Sequence, residues 1–108
     1  MINHLNKKNK PQIVNISEKK ITERIAKAEA LICFKASIFK KIQTMRTKKG
    51  NIENIAILAG IMGAKDTSRI IPLCHNIPIN HINIDITQLE KSNSLKVTSE
   101  VITNAKTG

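Results

Sequence analysis

Apolar and polar positions alternate with a period of two in three stretches of the chain and recur with a helical period in two others. From Thr22 to Phe34, one parity holds Arg24, Ala26, Ala28, Ala30, Ile32 and Phe34, and the other holds Ile25, Lys27, Glu29, Leu31 and Cys33. The alanine-rich composition favours helix, but the alternation predicts a strand. Between residues 36 and 47, Ile38, Phe39, Ile42 and Met45 share a helical face, with Ser37 as the expected N-cap and Lys40, Lys41 and Arg46 turned outward. Lys48-Lys49-Gly50-Asn51 breaks this pattern, and Asn51 is placed to cap a second helix running to about Lys65. That helix is apolar on all sides from Ile55 to Ala64, which predicts burial on most sides. Its Ala56, Gly60 and Gly63 fall at i, i+4 and i+7. Close packing on that narrow face would offset the roughly 1 kcal/mol that each helical glycine costs.

Pro72 and Pro78 bracket Leu73-Cys74-His75-Asn76-Ile77 and push the residues before them toward extended geometry. Ile82, Ile84 and Ile86 alternate with Asn83, Asp85 and Thr87, and after a turn over residues 90–94, Leu95, Val97, Ser99 and Val101 alternate with Lys96, Thr98, Glu100 and Ile102. These two segments predict an antiparallel hairpin with a core face and a water face. The order strand, helix, helix, strand, strand predicts an α+β fold with helices packed on one face of an antiparallel sheet. Residues 1–11, polar, basic and closed by Pro11, read as a flexible arm, with a short extended piece at 12–16 and a turn at 17–20.

Composition narrows the classes. The 108 residues suit a single domain, with 41% hydrophobic and 24% charged residues to support a core. Trp and Tyr are absent and Phe occurs twice, so there is no ladder of aromatic platforms for single-stranded nucleic acid. The formal charge of +10 comes from 18 Lys+Arg against 8 Asp+Glu, and the excess sits in residues 1–50. It is mostly lysine, whereas base-edge and bidentate phosphate recognition favour the planar fork of arginine. Ile, Asn and Lys all have codons built from A and T alone, so coding bias is expected to account for part of this lysine. The two cysteines, Cys33 and Cys74, form neither a CxxC pair nor a disulfide framework, no signal-peptide pattern opens the chain, and the longest apolar run is too short to span a bilayer as a helix. A cytoplasmic protein with no membrane partner is expected.

Candidate chemistry clusters at a few positions. Lys48 and Lys49 stand at the mouth of the second helix, where free N–H groups favour an anion, although solvated loop lysines are the plain alternative. Lys65 lies sixteen residues beyond Lys49, roughly 24 Å along a continuous helix. One chain therefore cannot bring both to one small ligand. Either Lys65 complements the helix dipole, the reading its position favours, or the site is assembled from two subunits. His75 reads as a positioned donor or acid/base group, or as a satisfied, partly buried histidine. Cys74 beside it does not form a thiolate–base pair, since adjacent residues rarely point at the same atom, and no metal-ligand spacing is present. Arg24 is out of place on a small apolar strand parity, which suggests a fixed role or an ion pair to a nearby Glu. Cys33 reads as a small core residue.

Several segments taken together resemble one family. IVNISEKKITERIAKAEA, the KKGN turn, ILAGIMGAKDTSRIIPLCHNIPI and the final KTG are similar to cyclic pyranopterin monophosphate synthases, the MoaC family of molybdenum cofactor biosynthesis. The resemblance runs from about residue 12 to residue 108. It implies a ferredoxin-like subunit, a hexamer built from dimers with sites at the dimer interface, and no cofactor. The implied reaction converts a cyclic dihydroguanosine triphosphate to cyclic pyranopterin monophosphate plus pyrophosphate, a lyase reaction. By the same resemblance, Lys49 and Lys65 match catalytic lysines, Leu73, Cys74 and His75 match the substrate-binding segment, and Lys19 and Arg24 match basic residues that can meet phosphate.

The sequence departs from the family at Asn15, Leu58 and Asp66, where an aspartate, an arginine and a basic residue are expected. The family continues past its KTG element into further helices, a last strand and a catalytic aspartate with a nearby lysine. The resemblance thus implies that residues 12–108 are an incomplete, C-terminally truncated synthase domain without activity of its own. A small basic module binding an anionic polymer such as nucleic acid is the alternative function, disfavoured by the shortage of arginine and aromatics.

Overall fold

The computed structural model describes residue 5 and residues 7–47 and 50–108. Strand β1 (Thr22–Cys33) leads into helix α1 (Ala36–Thr44), a small ribbon of β2 (Arg46–Thr47) and β3 (Gly50–Asn51), helix α2 (Ile52–Lys65) and the short α3 (Thr67–Ile70). Strands β4 (His81–Leu89) and β5 (Ser94–Ala105) follow, joined by a single 3-10 turn at Glu90–Ser92. The main sheet has three strands in the order β1-β5-β4, all antiparallel. The fold is α+β with its helices on one side of the sheet, as the ferredoxin-like expectation requires.

Register explains which residues share a face. Ile82 pairs with Val101 and Val101 with Ala26; Ile84, Ser99 and Ala28 form the next rung, and Ile86, Val97 and Ala30 the one after. Paired residues project to the same side, so the β1 alanines and the β4 isoleucines form one continuous helix-facing surface. The opposite face carries Lys27 and Glu100 at 3.4 Å and an Asn83–Asp85 hydrogen bond, a polar centre suited to water. The chain turns from β4 to β5 through Asn93, which adopts a left-handed conformation (φ 50°, ψ 46°) that asparagine tolerates. The Asn93 carbonyl accepts from the Phe34 amide at 2.9 Å, tying the turn to the end of β1.

The tightest packing lies at that end. Phe39 and Ile42 of α1 are buried against Leu95, with Phe34, Ile52 and Ile86 around them. Helix α1 begins earlier than the expected Ser37 cap. Lys35 occupies the N-cap position, its carbonyl accepting from the Phe39 amide at 2.9 Å, and makes no side-chain cap because its ammonium has no acceptor for a helix amide. The helix also stops at Thr44 instead of Thr47. Met45 is extended (φ −69°, ψ 127°), and Arg46–Thr47 pairs with Gly50–Asn51. Asn51 caps α2 as expected, its Oδ1 accepting from the Asn54 amide at 2.8 Å.

Helix α2 is not buried on most sides. Its main partner is β4, and Leu58 and Met62 on the outer surface remain 59% and 65% exposed. Cys33 is likewise exposed, at the end of edge strand β1, and not a core residue. The 12-residue pairing of β1 with β5 stretches the molecule to 55 × 28 × 23 Å. Its radius of gyration is 18.3 Å, against about 13 Å for a compact chain of this length. Its accessible surface is 8619 Å², against about 6,000 Å² for a compact protein of its mass. Much apolar surface is therefore left uncovered by the chain itself.

The helix glycines behave differently from each other. A Cβ on Gly60 would stand 3.2 Å from Ile84, whereas one on Gly63 would meet nothing within 4 Å. Gly60 is where α2 settles onto β4, and the close packing expected at Gly63 is not formed. Gly63→Ala is expected to raise stability by about 0.5–1 kcal/mol through helix propensity. Gly60→Val is expected to lower it by about 1–3 kcal/mol through overpacking. Urea unfolding midpoints of the two variants check both signs.

Candidate active site

A cleft of about 430 Å³ opens where β1, β5, the end of α2 and the proline-bracketed segment meet. Its lining includes Arg24, Lys65, Cys74, His75, Asn76 and Thr103. Arg24 reaches it because it stands opposite Thr103 on the helix-facing side of the sheet, at the end where β1 begins and β5 finishes. The residue that looked out of place on an alanine strand is thus the cation at the edge of that surface. Lys65 arrives from the last turn of α2. The carbonyls of that turn are occupied: the Asp66 amide bonds to Met62 O at 3.0 Å and Gly63 O at 3.2 Å, and the Thr67 hydroxyl donates to Gly63 O at 3.1 Å. Such bonds weaken the negative end of the helix dipole, which would otherwise oppose an anion beside Lys65.

Positioning of His75 begins at Leu73, a half-buried residue held at a left-handed φ of 64°. This reversal lets the chain leave α3, pass Pro72 and run extended to Pro78 along the end of β5. The Thr103 hydroxyl donates to the Pro78 carbonyl, the Asn80 amide to Ile102 O at 2.8 Å, and the Asn104 amide to Asn80 Oδ1 at 2.7 Å. The His75 ring is half-buried, with Nε2 2.7 Å from the Val14 carbonyl. The Cys74 thiol contacts the His75 carbonyl at 3.5 Å and not its ring, so the two do not form a nucleophile and base.

The ionisable side chains that line the cleft are Arg24, Lys65, Cys74 and His75. Among the described residues, neither Arg24 nor Lys65 has a hydrogen-bond or ion-pair partner, and no carboxylate side chain lines the cleft. Asp66, the acidic departure next to Lys65, pairs instead with Arg69 at 3.6 Å on the surface. The final KTG segment returns to the same place. Lys106 Nζ donates to Ser17 O at 2.8 Å, and Gly108 lies so near Arg24 that an added Cβ would stand 2.8 Å from its Cδ.

Of the expected site residues, the structure brings together Arg24, Lys65, Cys74 and His75. Leu73 and Lys19 are not among the cleft-lining residues. Lys49 lies outside the described residues. Thr67, Ser68, Asn76 and Thr103 also line the cleft and were not singled out from sequence. Thr67, Ser68 and Asn76 adjoin recognisable residues, but nothing in the spacing marks Thr103, which reaches the cleft only through strand register. Among the described residues, no group of three or more His, Cys, Asp or Glu could hold a metal ion, and no helix is long and apolar enough to cross a membrane.

The family model for the MoaC family matches residues 13–108. The chain belongs to the MoaC family. It is 44% identical over 107 residues to a cyclic pyranopterin monophosphate synthase of Helicobacter pylori strain Shi470, covering 99% of this chain and 68% of that protein. A protein of the same name from Campylobacter jejuni is 40% identical, and one from Helicobacter hepaticus 43%, each over 107 residues, covering 99% of this chain and 68% and 67% of those proteins.

The positive φ at Leu73 supplies a local test. Leu73→Ile keeps the volume but adds a β-branch that the left-handed region disfavours. A stability loss of about 1 kcal/mol is expected, measured by chemical denaturation.

Proposed function

We propose that the chain serves as a cyclic pyranopterin monophosphate synthase subunit in molybdenum cofactor biosynthesis, acting on a cyclic dihydroguanosine triphosphate and releasing pyrophosphate. The observation that carries this reading is the meeting in one cleft of Arg24 and Lys65 with His75, the two cations without a partner and no carboxylate side chain on the lining among the described residues. A triphosphate needs such a site. Arg24 can grip a phosphate with two parallel N–H donors, and Lys65 supplies a compact charge. Both would stabilise the charge that builds on pyrophosphate as it leaves. His75, held in a stiff segment, would move a proton during ring formation, with Cys74 on the substrate-binding wall and Leu73 turning the chain into it.

Lys49 and Lys19 belong to the same proposal as further basic groups. Because α2 runs unbroken from Ile52 to Lys65, about 21 Å at 1.5 Å per residue, Lys49 would reach this cleft from a second copy of the chain. A dimer-based hexamer supplies that second copy. Support comes from the exposed apolar side chains, including Ile25, Leu31, Leu58 and Met62, that assembly would cover. A cytoplasmic location fits this reading.

Titration calorimetry with the cyclic triphosphate and with pyrophosphate tests the site. Losing one charged hydrogen-bond donor costs roughly 1.5–3 kcal/mol, or about 10- to 100-fold in affinity. Arg24→Ala and Lys65→Ala are each expected to show that loss, while Arg69→Ala, on the surface pair, leaves binding unchanged. Undiminished affinity in both cleft variants would overturn the proposal.

A further inference from the structure

We infer that the backbone carbonyl of Val14 fixes the tautomer of His75, making Nδ1 the ring's proton acceptor; the consequence for catalysis rests on the function proposed above. The segment before β1 is not simply a solvated lead. Val14 and Ile16 are half-buried while Ile13, Asn15 and Ser17 are exposed, an alternation that turns one side of the segment inward. The Asn15 side chain accepts from the Ser17 amide at 2.9 Å, closing a local turn. Lys106 clasps the Ser17 carbonyl at 2.8 Å, and His75 Nε2 meets the Val14 carbonyl at 2.7 Å. Two side chains from different parts of the fold therefore grip neighbouring carbonyls of one short segment.

A carbonyl oxygen can only accept, so the nitrogen facing it must carry the hydrogen. In the neutral imidazole that leaves the lone pair on Nδ1, and among the described residues Nδ1 has no hydrogen-bond partner. His75 lines the cleft that holds Arg24 and Lys65. Nδ1 is then the only acceptor on the neutral ring, suited to take a proton from substrate. Val14 acts as a positioning residue, touching the histidine and not the reacting atoms.

The ring state is read directly by long-range 15N–1H NMR on the 15N-histidine-labelled 108-residue chain at a pH where the imidazole is neutral. The His75 signals are assigned by their loss in His75→Gln. The Nε2–H form is expected to dominate. Replacing the Val14–Asn15 amide with an ester in a semisynthetic chain weakens the carbonyl as an acceptor while every side chain but that backbone N–H is kept. It should lower the ratio of Nε2–H to Nδ1–H several-fold, and removal of residues 1–14 should do the same. The dispersed amide signals of β1 and β5 report that each variant has folded. An Nδ1–H ring in the unaltered chain, or a ratio unchanged in both variants, would overturn the inference. Since no substrate is present, failure of the proposed activity would leave this result intact, and an unchanged tautomer ratio would leave the cation-binding result intact.

Discussion

The register of β1 against β5 is the constraint on which the rest of the molecule depends. Twelve residue pairs, from Thr22 with Ala105 to Cys33 with Ser94, set which side chains share each face. Because side chains alternate along a strand, a slip of one residue would move Arg24 from the helix side to the other surface. The same slip would put Lys27 and Glu29 where Ala26 and Ala28 lie, on the helix side of the sheet. It would also part Lys27 from Glu100 across the ladder, so the charge pattern on the far face favours the observed register. The site follows from it, because Arg24 and Thr103 are remote in sequence and meet only across this ladder.

Much of this was legible in the sequence. Alternation in 22–34 identified β1 correctly against a composition that favoured helix, because twelve pairings with β5 outweigh intrinsic helix propensity. Asn51 announced the start of α2, since its short side chain offers an acceptor three residues from an orphan amide. The oddity of Arg24 also pointed to its place on the cleft. The exits and entries of α1 were less legible. Ser37 looked like a cap by residue type, but the entry was decided by a Lys35 carbonyl that any residue could provide. Met45 left the helix early because of a ribbon made two residues later. Thr103 and the Val14 carbonyl were invisible for a related reason: one depends on pairing partner, the other on a main-chain atom that carries no identity.

The apolar character of α2 illustrates how a correct physical premise led to a different outcome. A helix that is hydrophobic on every side should be enclosed, yet among the described residues α2 has no buried side chain and packs mainly on β4. The premise concerns the finished assembly, and the chain covers about two thirds of the length of its relatives. The open strip beside Gly63 and the uncovered alanine face of β1 are parts of the same incomplete surface. Small residues there leave room for another element to approach closely, whether from the same chain type or another copy. Gly60 differs because Ile84 already occupies that space.

The net charge carries less functional information than its size suggests. Of 18 Lys and Arg residues, Arg24 and Lys65 alone line the cleft among the described residues, while Lys27 and Arg69 are taken up in ion pairs on other surfaces. Electrostatic attraction from the remaining lysines is screened over roughly 8–10 Å at physiological salt, so it can raise the encounter rate of a polyanion but cannot orient it. Orientation requires the few cations whose positions are fixed by backbone pairing and a helix end. Arg24 is fixed by twelve strand pairs and Lys65 by a helix seated through Gly60 on Ile84. The spacing of the two cations is therefore coupled to the packing of α2 on the sheet: a change that lifts the helix moves one cation relative to the other without touching either.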